Sequence, residues 1–328
     1  MSSASRLPLE LLEYIISWAF TLHSPSGDLL HVPSKPSWGA VSGFSLASKT
    51  CRAIFLEYWF MTLYMAECQH SDFENLFSTF PDICTRWTRH LHCVLPIDLV
   101  RHRMHVPLTV ARFEKLQTIR LGYCGLHSKR TYAGTHSALS SHRGVDSFSI
   151  YNVLWPSPII MKHISHTFIG LRYLAIHGRT IWCGLCYTNS TPAFASPIPR
   201  RLRYENSQGL GLPALFSKCL SSLHSLEFVS ISVPIVDGGQ TLLTEGDGGN
   251  EFLWSGECDD CITRNYVDEI FRNDWVERKR NGEPRLPSLQ VVEWKFTDLI
   301  AEEDDEEAVD EADSPSSSSG DGNNDGDA

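Results

Sequence analysis

Apolar residues are unusually dense in the first helix that the sequence predicts, RLPLELLEYII at residues 6–16. Proline is favoured at the first position of a helix, because its missing N–H would be unpaired there, so we expect the helix to begin at Pro8. The segment carries two apolar stripes offset by one residue, Leu9, Leu12 and Ile16 in one and Leu11 and Ile15 in the other. Two stripes predict two packing partners.

A second apolar segment with helical spacing occupies residues 41–65, after a loop rich in Ser, Pro and Gly. Its apolar positions are Phe44, Ala47, Cys51, Ile54 and Phe55, with an aromatic cluster at Tyr58, Trp59 and Phe60. One stripe of the first helix can pack against this segment. The other stripe is then available to another protein, as amphipathic helices commonly are.

These two segments together resemble the F-box. The likeness rests on LPLELL with Ile15 and Ile16, followed by FSLASKTCR at residues 44–52 and an aromatic end. It covers about residues 5–62, with a longer loop at 22–40 than the family usually has. The style of the motif is similar to that of divergent F-box-like proteins of fungi.

In the F-box family this three-helix module docks on the Skp adaptor of a cullin-based ubiquitin ligase. The resemblance implies an F-box-like helical domain over residues 1–65. It also implies an adaptor-binding surface made of Leu7, Pro8, Leu11, Ile15, Leu46 and Ala47. The alternative is that LPLELLEYII is simply a buried helix of a larger α-helical domain.

Downstream, the apolar pattern LxxLxL recurs along the chain. Its matches are Thr88-Leu91-Cys93, Leu116-Ile119-Leu121, Val145-Phe148-Ile150, Leu171-Leu174-Ile176, Leu223-Leu226-Phe228 and Leu289-Val292-Trp294. From the second match onward the starting positions step by 29, 26, 52 and 66 residues. The step of 52 leaves room for one degenerate unit near Ile198.

The unit LQTIRLGYCGL, residues 116–126, resembles a cysteine-containing leucine-rich repeat. In such repeats a short strand points its LxL pair inward and a helix returns behind it. LPALFSKCLSSL, residues 212–223, is predicted to be one such helix. We therefore expect an α/β fold in which the F-box-like module precedes an irregular leucine-rich-repeat solenoid at residues 66–300, with parallel strands and backing helices. The alternative is an ordinary α/β domain whose strands happen to look alike.

Side chains alternate along a strand, so the residue between two inward-facing apolar positions faces the concave surface. This rule predicts a row formed by Arg120, Ser149, Ala175, Glu227 and Glu293, flanked by Thr118, Tyr173, His177 and Lys295. We interpret six of these as candidate substrate-binding residues, namely Arg120, Ser149, Tyr173, His177, Glu227 and Glu293. A solvated polar face that binds nothing is the alternative.

The charge of the chain is concentrated at its end. Residues 301–328 carry twelve acidic side chains and no Lys or Arg, so the net charge of −11 becomes +1 for residues 1–300. Residues 1–300 thus have almost no excess of basic over acidic side chains, which argues against a nucleic-acid partner. The segment also lacks aromatic residues, which predicts a disordered acidic tail.

The cysteines and the hydropathy predict the compartment. The ten cysteines have irregular spacing and no secretory leader precedes them, so we expect reduced thiols. No stretch reaches the roughly 18 consecutive apolar residues of a membrane span. These features together predict a soluble cytoplasmic or nuclear protein without membrane contact.

Two C-x-x-C pairs are candidates for metal binding, Cys183 with Cys186 and Cys258 with Cys261. Each pair could supply two thiolates to zinc, but the interval of 72 residues between Cys186 and Cys258 exceeds that of most zinc ribbons. We therefore predict no metal and no cofactor. The first pair would be buried near the third predicted strand and the second would lie in an inserted loop.

Catalytic motifs are weak in this sequence. Gly43-Phe44-Ser45-Leu46-Ala47 differs by one residue from the nucleophile elbow G-x-S-x-G, but it begins a helix with no strand before it. No P-loop, G-x-G-x-x-G or H-E-x-x-H motif occurs. No catalytic residue is predicted.

The resemblance to F-box and leucine-rich-repeat proteins implies a substrate-recruiting adaptor rather than an enzyme. The F-box-like module would bind the Skp adaptor and through it a cullin, the repeats would bind an unknown target protein, and other subunits would transfer ubiquitin. Two alternatives stay open. One is a repeat scaffold without ligase contact, whose N-terminal helices only cap the solenoid; the other is a metal-dependent enzyme.

Overall fold

The chain folds into mixed α/β structure in which a mostly parallel sheet follows a group of short helices. The computed structural model describes residues 7–23, 35–66, 75, 78–95, 110–123, 142–153, 156–194, 200–237, 252–282 and 284–298. The predicted acidic tail, Cys124 of the repeat-like unit and most of the Gly-rich segment after residue 237 lie outside these ranges.

The described residues of the N-terminal part form four helices, α1 (Leu9–His23), α2 (Trp38–Val41), α3 (Gly43–Ala47) and α4 (Lys49–Met61). Helix α1 begins one residue after Pro8, whose carbonyl accepts hydrogen bonds from the amides of Leu11 and Leu12 at 3.2 Å. Helix α4 begins after Ser48, whose hydroxyl accepts a bond from the Cys51 amide at 3.0 Å. Such a cap satisfies a helix N–H that would otherwise be unpaired.

These helices enclose a small core of their own. Ile16, Val41 and Phe55 are its buried centre, separate from the core of the sheet. Phe20 packs on Phe55 with ring centroids 5.5 Å apart, so α1 and α4 are held together by aromatic contact.

Eleven strands are present in the described residues. In chain order they are β1 (Thr62–Ala66), β2 (His90–Leu95), β3 (Thr118–Tyr123), β4 (Ser147–Val153), β5 (Tyr173–Gly178), β6 (Ile181–Trp182), β7 (Asn189–Ser190), β8 (Ala193–Phe194), β9 (Arg201–Glu205), β10 (Phe228–Asp237) and β11 (Val291–Asp298). The main sheet has the order β1-β2-β3-β4-β5-β10-β11-β9, and β8 pairs with the end of β10. All neighbours in this sheet are parallel except β9, which runs antiparallel to β11. Strands β6 and β7 form a separate hairpin.

Further helices lie between strands in the described residues. They are α5 (Pro81–Arg86), α6 (Pro158–Thr167), α7 (Ala214–Leu220), α8 (Asp259–Asn265) and α9 (Glu269–Asn281), with a 3₁₀ turn at Val110–Arg112. Helices α6 and α7 contact each other. Helix α7 lies within residues 212–223, where the sequence predicts a backing helix.

The predicted alignment of the apolar LxL positions is confirmed for β3, β4 and β5. Ile119 pairs with Phe148, which in turn pairs with Leu174, and the next inward position aligns Leu121, Ile150 and Ile176 in the same way. All six side chains are buried. The LxxLxL pattern therefore marks the inner face of a continuous sheet.

The predicted register at β10 is wrong by three residues. Val229 pairs with Leu174 and Ile231 with Ile176, so the unit is Leu226-Val229-Ile231. After α7 the Leu223 amide donates to the Leu220 carbonyl in a turn that buries Leu223 before the strand begins. Leu223, which the pattern placed at the start of this strand unit, therefore belongs to the connection before the strand.

Two strands differ from the prediction. Strand β1 follows α4 directly and pairs Leu63 with Leu91, within the segment 41–65 that was expected to be helical. Near Ile198 the structure has β9, but β5 pairs directly with β10 and β9 lies at the end of the sheet. The described residues between β5 and β10 therefore form an excursion that returns to the far end of the sheet as β9, rather than an additional repeat between β5 and β10.

We predict that Gly211→Ala destabilises the fold by at least about 2 kcal/mol, which urea unfolding would measure. Gly211 has φ +83, and an added Cβ would collide with the Tyr204 ring. That ring cannot shift freely, because the Tyr204 hydroxyl donates to the Trp254 carbonyl at 2.7 Å. Gly43→Ala is the matched control, since an added Cβ there meets nothing within 4 Å. Equal stability of the two variants would contradict this prediction.

Candidate functional site

The six predicted adaptor-binding residues all lie on the surface of the N-terminal helices. Leu46 of α3 is 83% exposed, and Leu7, Leu11 and Ile15 are 51%, 50% and 40% exposed. Pro8 and Ala47 are exposed as well. Leu7, Leu11 and Ile15 thus expose several apolar side chains along one short segment of the chain, a pattern typical of interaction sites.

The two stripes of α1 have different surroundings. Ile16 and Ala19 are buried against the helical core, while Leu11, Ile15 and Trp18 form an exposed stripe at i, i+4 and i+7. Leu9 belongs to the first stripe by its spacing, but it is 49% exposed because it lies in the first turn of the helix. The alternative of a fully buried α1 is therefore wrong.

Aromatic side chains are also partly exposed on the N-terminal helices. Trp38 is 46% exposed and contacts the Trp59 ring with centroids 4.8 Å apart. The Lys35 ammonium lies 3.9 Å from the centroid of the same Trp59 ring. Burial lowers the pKa of Lys35 to about 8.

The outer face of the sheet carries a row of residues in register. Across the strands, the paired positions are Tyr64, His92, Arg120, Ser149, Ala175, Ser230, Glu293 and Arg203. The predicted positions of Arg120, Ser149, Ala175 and Glu293 in this row are confirmed. Tyr173 and His177 lie on the same face of β5, two residues to either side of Ala175.

Glu227 is not part of the row, and that prediction is wrong. The three-residue register difference puts Ser230 in the row and leaves Glu227 just before β10. There its carboxylate accepts bonds from Arg172 Nε at 3.0 Å and Nη2 at 2.9 Å. Glu227 forms an ion pair at the beginning of the strands.

An aromatic cluster occupies the middle of the outer face. His177 stacks on Tyr151 with ring centroids 4.1 Å apart, and the Arg120 guanidinium carbon lies 5.0 Å from the Tyr151 centroid. Sequence reasoning named Arg120 and His177 but missed Tyr151. Alternation from Ser149 would have placed Tyr151 on the same face, although a bulge between Ile150 and Val153 follows it.

Glu293 is covered by basic side chains. Its carboxylate forms ion pairs with Arg201, with Arg203 Nη1 at 4.0 Å and with Lys295 Nζ at 3.6 Å. The Glu293 side chain is 2% exposed, whereas those of Arg201 and Lys295 are 54% and 43% exposed. The antiparallel strand β9 brings in both arginines and also Glu205, which is 71% exposed and pairs with Arg203 at 3.2 Å, so these charged side chains together carry a net charge of only +1.

The two C-x-x-C pairs meet, contrary to the prediction that they are separate. The sulfur atoms of Cys183, Cys186, Cys258 and Cys261 all lie within 4.8 Å of one another. The excursion after β5 and the chain between β10 and β11 fold towards the same place. Distance along the sequence did not indicate this contact, because a parallel sheet brings together segments that are far apart in the chain.

A buried ion pair lies beside the second cysteine pair. The Glu257 carboxylate accepts bonds from Lys279 Nζ and Trp275 Nε1, both at 2.8 Å, and from the Ser255 amide at 2.7 Å. Burial acts to raise the pKa of Glu257, but the Lys279 charge and these hydrogen bonds outweigh it and hold the pKa below its ordinary value. The loop at 252–258 is therefore fixed by a charged network.

No family model, curated protein or solved structure matches this chain. Within the described ranges, no helix combines the length and apolar character that a bilayer crossing requires. Function is therefore argued from the surfaces described above.

Proposed function

We propose that this protein is a non-catalytic adaptor of a cullin-based ubiquitin ligase. The N-terminal helices bind a Skp-family adaptor, and an irregular leucine-rich-repeat-like solenoid binds a target protein. The observation that carries the proposal is the exposure of Leu7, Leu11, Ile15 and Leu46 beside a separate, well-packed helical core. Such side chains favour a partner with an apolar groove.

The order of the strands supports the repeat part of the proposal. Strands β1 to β5 are neighbours in chain order and all parallel, as stacked repeats require. The described connections between β4, β5 and β10 contain α6 and α7, which contact each other. Successive units of this kind form one curved sheet with a side available for binding.

The target-binding side is the outer face of that sheet. Tyr173 is its exposed aromatic side chain at 43%, and the half-buried Arg120 and His177 lie against the ring of Tyr151, which is itself buried. Exposed aromatic and arginine side chains are the residue types that dominate protein interfaces. With Arg201 and Lys295 at the far end, this face suits an acidic segment of a target protein.

The mechanism is proximity. Helix α4 ends at Met61 and β1 begins at Thr62, so no linker separates the helices from the sheet. The sheet binds the target while the helices of the same chain bind the Skp adaptor. This raises the effective concentration of the target at the ligase. Ubiquitin chemistry belongs to the other subunits.

We predict that Leu46→Asp weakens binding to a purified Skp adaptor by at least about 30-fold, measured by isothermal titration calorimetry. The change places a charge in a contact that must lose its water. Leu46 is already 83% exposed, so the free protein should keep its stability.

Ile270→Asp is the matched control, because Ile270 is 74% exposed and lies in the first turn of α9, outside the proposed surface. It should bind like the wild type. If Leu46→Asp and Ile270→Asp bind equally well, the adaptor surface is not where we propose it.

A further inference from the structure

Four cysteines from distant parts of the chain meet in one place, and the proposed adaptor function does not use them. Cys183 and Cys258 are 0% and 3% exposed, whereas Cys186 is on the surface and Cys261 is partly buried. All four are free thiols. Two Cys-x-x-Cys pairs that converge in this way form the ligand set of a structural zinc site.

The spacing of the sulfur atoms fits a single ion. A tetrahedral zinc with Zn–S bonds of about 2.3 Å has sulfur atoms about 3.8 Å apart. Cys186 Sγ and Cys258 Sγ, which join the two pairs, are 3.8 Å apart, and all four sulfurs lie within 4.8 Å of one another. An iron–sulfur cluster would hold its ligands farther apart, because several atoms would lie between them.

Backbone amides converge on one of these sulfurs. The amides of Leu185, Cys186 and Cys258 point at Cys183 Sγ, with N–S distances of 3.4, 3.5 and 3.3 Å. A neutral thiol is a weak acceptor, but a metal-bound thiolate keeps lone pairs that such donors stabilise. The Cys258 amide also ties the second pair to the first.

Rigid local structure presents both pairs. Cys183 and Cys186 lie in the turn between β6 and β7, where the Cys183 amide donates to the Thr188 carbonyl at 2.9 Å. Cys258 and Cys261 begin α8, directly after Glu257 with its buried network. Hydrogen bonds of the local structure therefore hold all four ligands in place.

Disulfides fit this arrangement poorly. A disulfide needs sulfur atoms about 2.05 Å apart, and it joins two residues while excluding the others. Here each sulfur has three sulfur neighbours at similar range, and Cys183 and Cys258 also share an amide contact. Four mutually close thiols match one shared central atom.

We propose that Cys183, Cys186, Cys258 and Cys261 bind one zinc ion in a closed structural site. Four thiolates fill the coordination sphere, so the ion has no open position for a substrate and its role is to hold structure. It joins the excursion after β5 to the chain before β11. The site thereby fixes the end of the sheet that carries Arg201, Arg203 and Lys295.

The test is the metal content of the full-length, tag-free protein, purified under reducing conditions, by inductively coupled plasma mass spectrometry. We expect about one zinc per chain in the wild type and in Cys219→Ser, whose cysteine lies on α7 outside the site. We expect at least about tenfold less zinc in Cys186→Ser after dialysis against a chelator. Cys186 is the exposed ligand, which makes it the substitution that the fold tolerates best.

A second measurement uses only the wild type, so its result does not depend on whether a variant folds. Cobalt(II) exchanged into the wild type should give the visible absorption of tetrahedral cobalt with sulfur-to-metal charge transfer, and zinc should displace it. A metal-free wild type, one equivalent of iron in place of zinc, or a mass showing two disulfides between these cysteines would each overturn the proposal. Because zinc content is read without any Skp adaptor, its failure is distinct from failure of the adaptor function.

Discussion

Replacement of Lys279 with methionine should lower the free energy of unfolding by about 3–5 kcal/mol, as expected when one partner of a buried ion pair is removed. Lys279 Nζ lies 2.8 Å from Glu257 Oε1, and the side chains are 11% and 0% exposed. Lys279 also donates to the carbonyls of Phe252 and Leu253 at 2.8 and 2.7 Å. Methionine fills similar space but leaves a carboxylate without its cation and two carbonyls without a donor. Urea unfolding at neutral pH measures the loss.

The double variant Glu257→Gln, Lys279→Met is the control. It removes the unpaired carboxylate charge of Glu257, so it should be more stable than Lys279→Met alone. If the single and double variants unfold at the same urea concentration, the destabilisation comes from lost packing and not from an unpaired charge.

The same pair predicts how the loss depends on pH. In the wild type the pKa of Glu257 lies below its unfolded value of about 4.3, so its stabilising contribution is present above that pH and is lost as the pH falls through the folded pKa. Without Lys279, burial raises the pKa of Glu257 and the folded state prefers the protonated acid. The stability difference between wild type and Lys279→Met should therefore be largest near pH 7 and shrink towards about pH 4. A difference that grows on acidification would contradict this assignment.

Trp294→Ala should destabilise the protein by about 3–5 kcal/mol, the range for deletion of a large buried aromatic side chain. Trp294 is 1% exposed, and its ring packs against Trp254 with centroids 4.8 Å apart. Its Nε1 donates to the Gly211 carbonyl at 2.8 Å, which connects β11 to the turn before α7. Alanine would leave a cavity and an unpaired carbonyl together. Thermal and urea unfolding would both show the loss.

Two controls separate the contributions at this position. Trp294→Phe keeps an aromatic ring but loses the hydrogen bond, so it should cost less than the alanine variant. Trp18→Ala removes the same side chain from a position that is 57% exposed, and it should change stability by less than about 0.5 kcal/mol. Comparable losses in Trp18→Ala and Trp294→Ala would mean that the core is not where the structure places it.

The sequence was sufficient to predict features that depend on local periodicity. The exposed stripe of Leu11 and Ile15 follows from helical spacing, and the inner positions of β3, β4 and β5 follow from LxxLxL. The positions of Arg120 and His177 on the outer face follow from strand alternation in the same way. Each of these features involves residues that are close in the chain.

Features that depend on contacts between distant segments of the chain could not be predicted from the sequence. Leu223 and Leu226 are both apolar at repeat spacing, and only the turn after α7 decides which of them begins the β10 unit. Strand β1 could not be distinguished from the end of α4, because both are rich in apolar residues. The meeting of Cys186 with Cys258 across 72 residues needs the complete sheet topology.

The docking of the exposed N-terminal side chains on another protein can be measured directly with two purified components. The full-length protein and a Skp adaptor, mixed at micromolar concentration, would be analysed by size-exclusion chromatography with light scattering. We predict one peak whose mass is the sum of one copy of each. Two separate peaks at every concentration tested, from a protein whose circular dichroism shows it folded, would contradict the adaptor function.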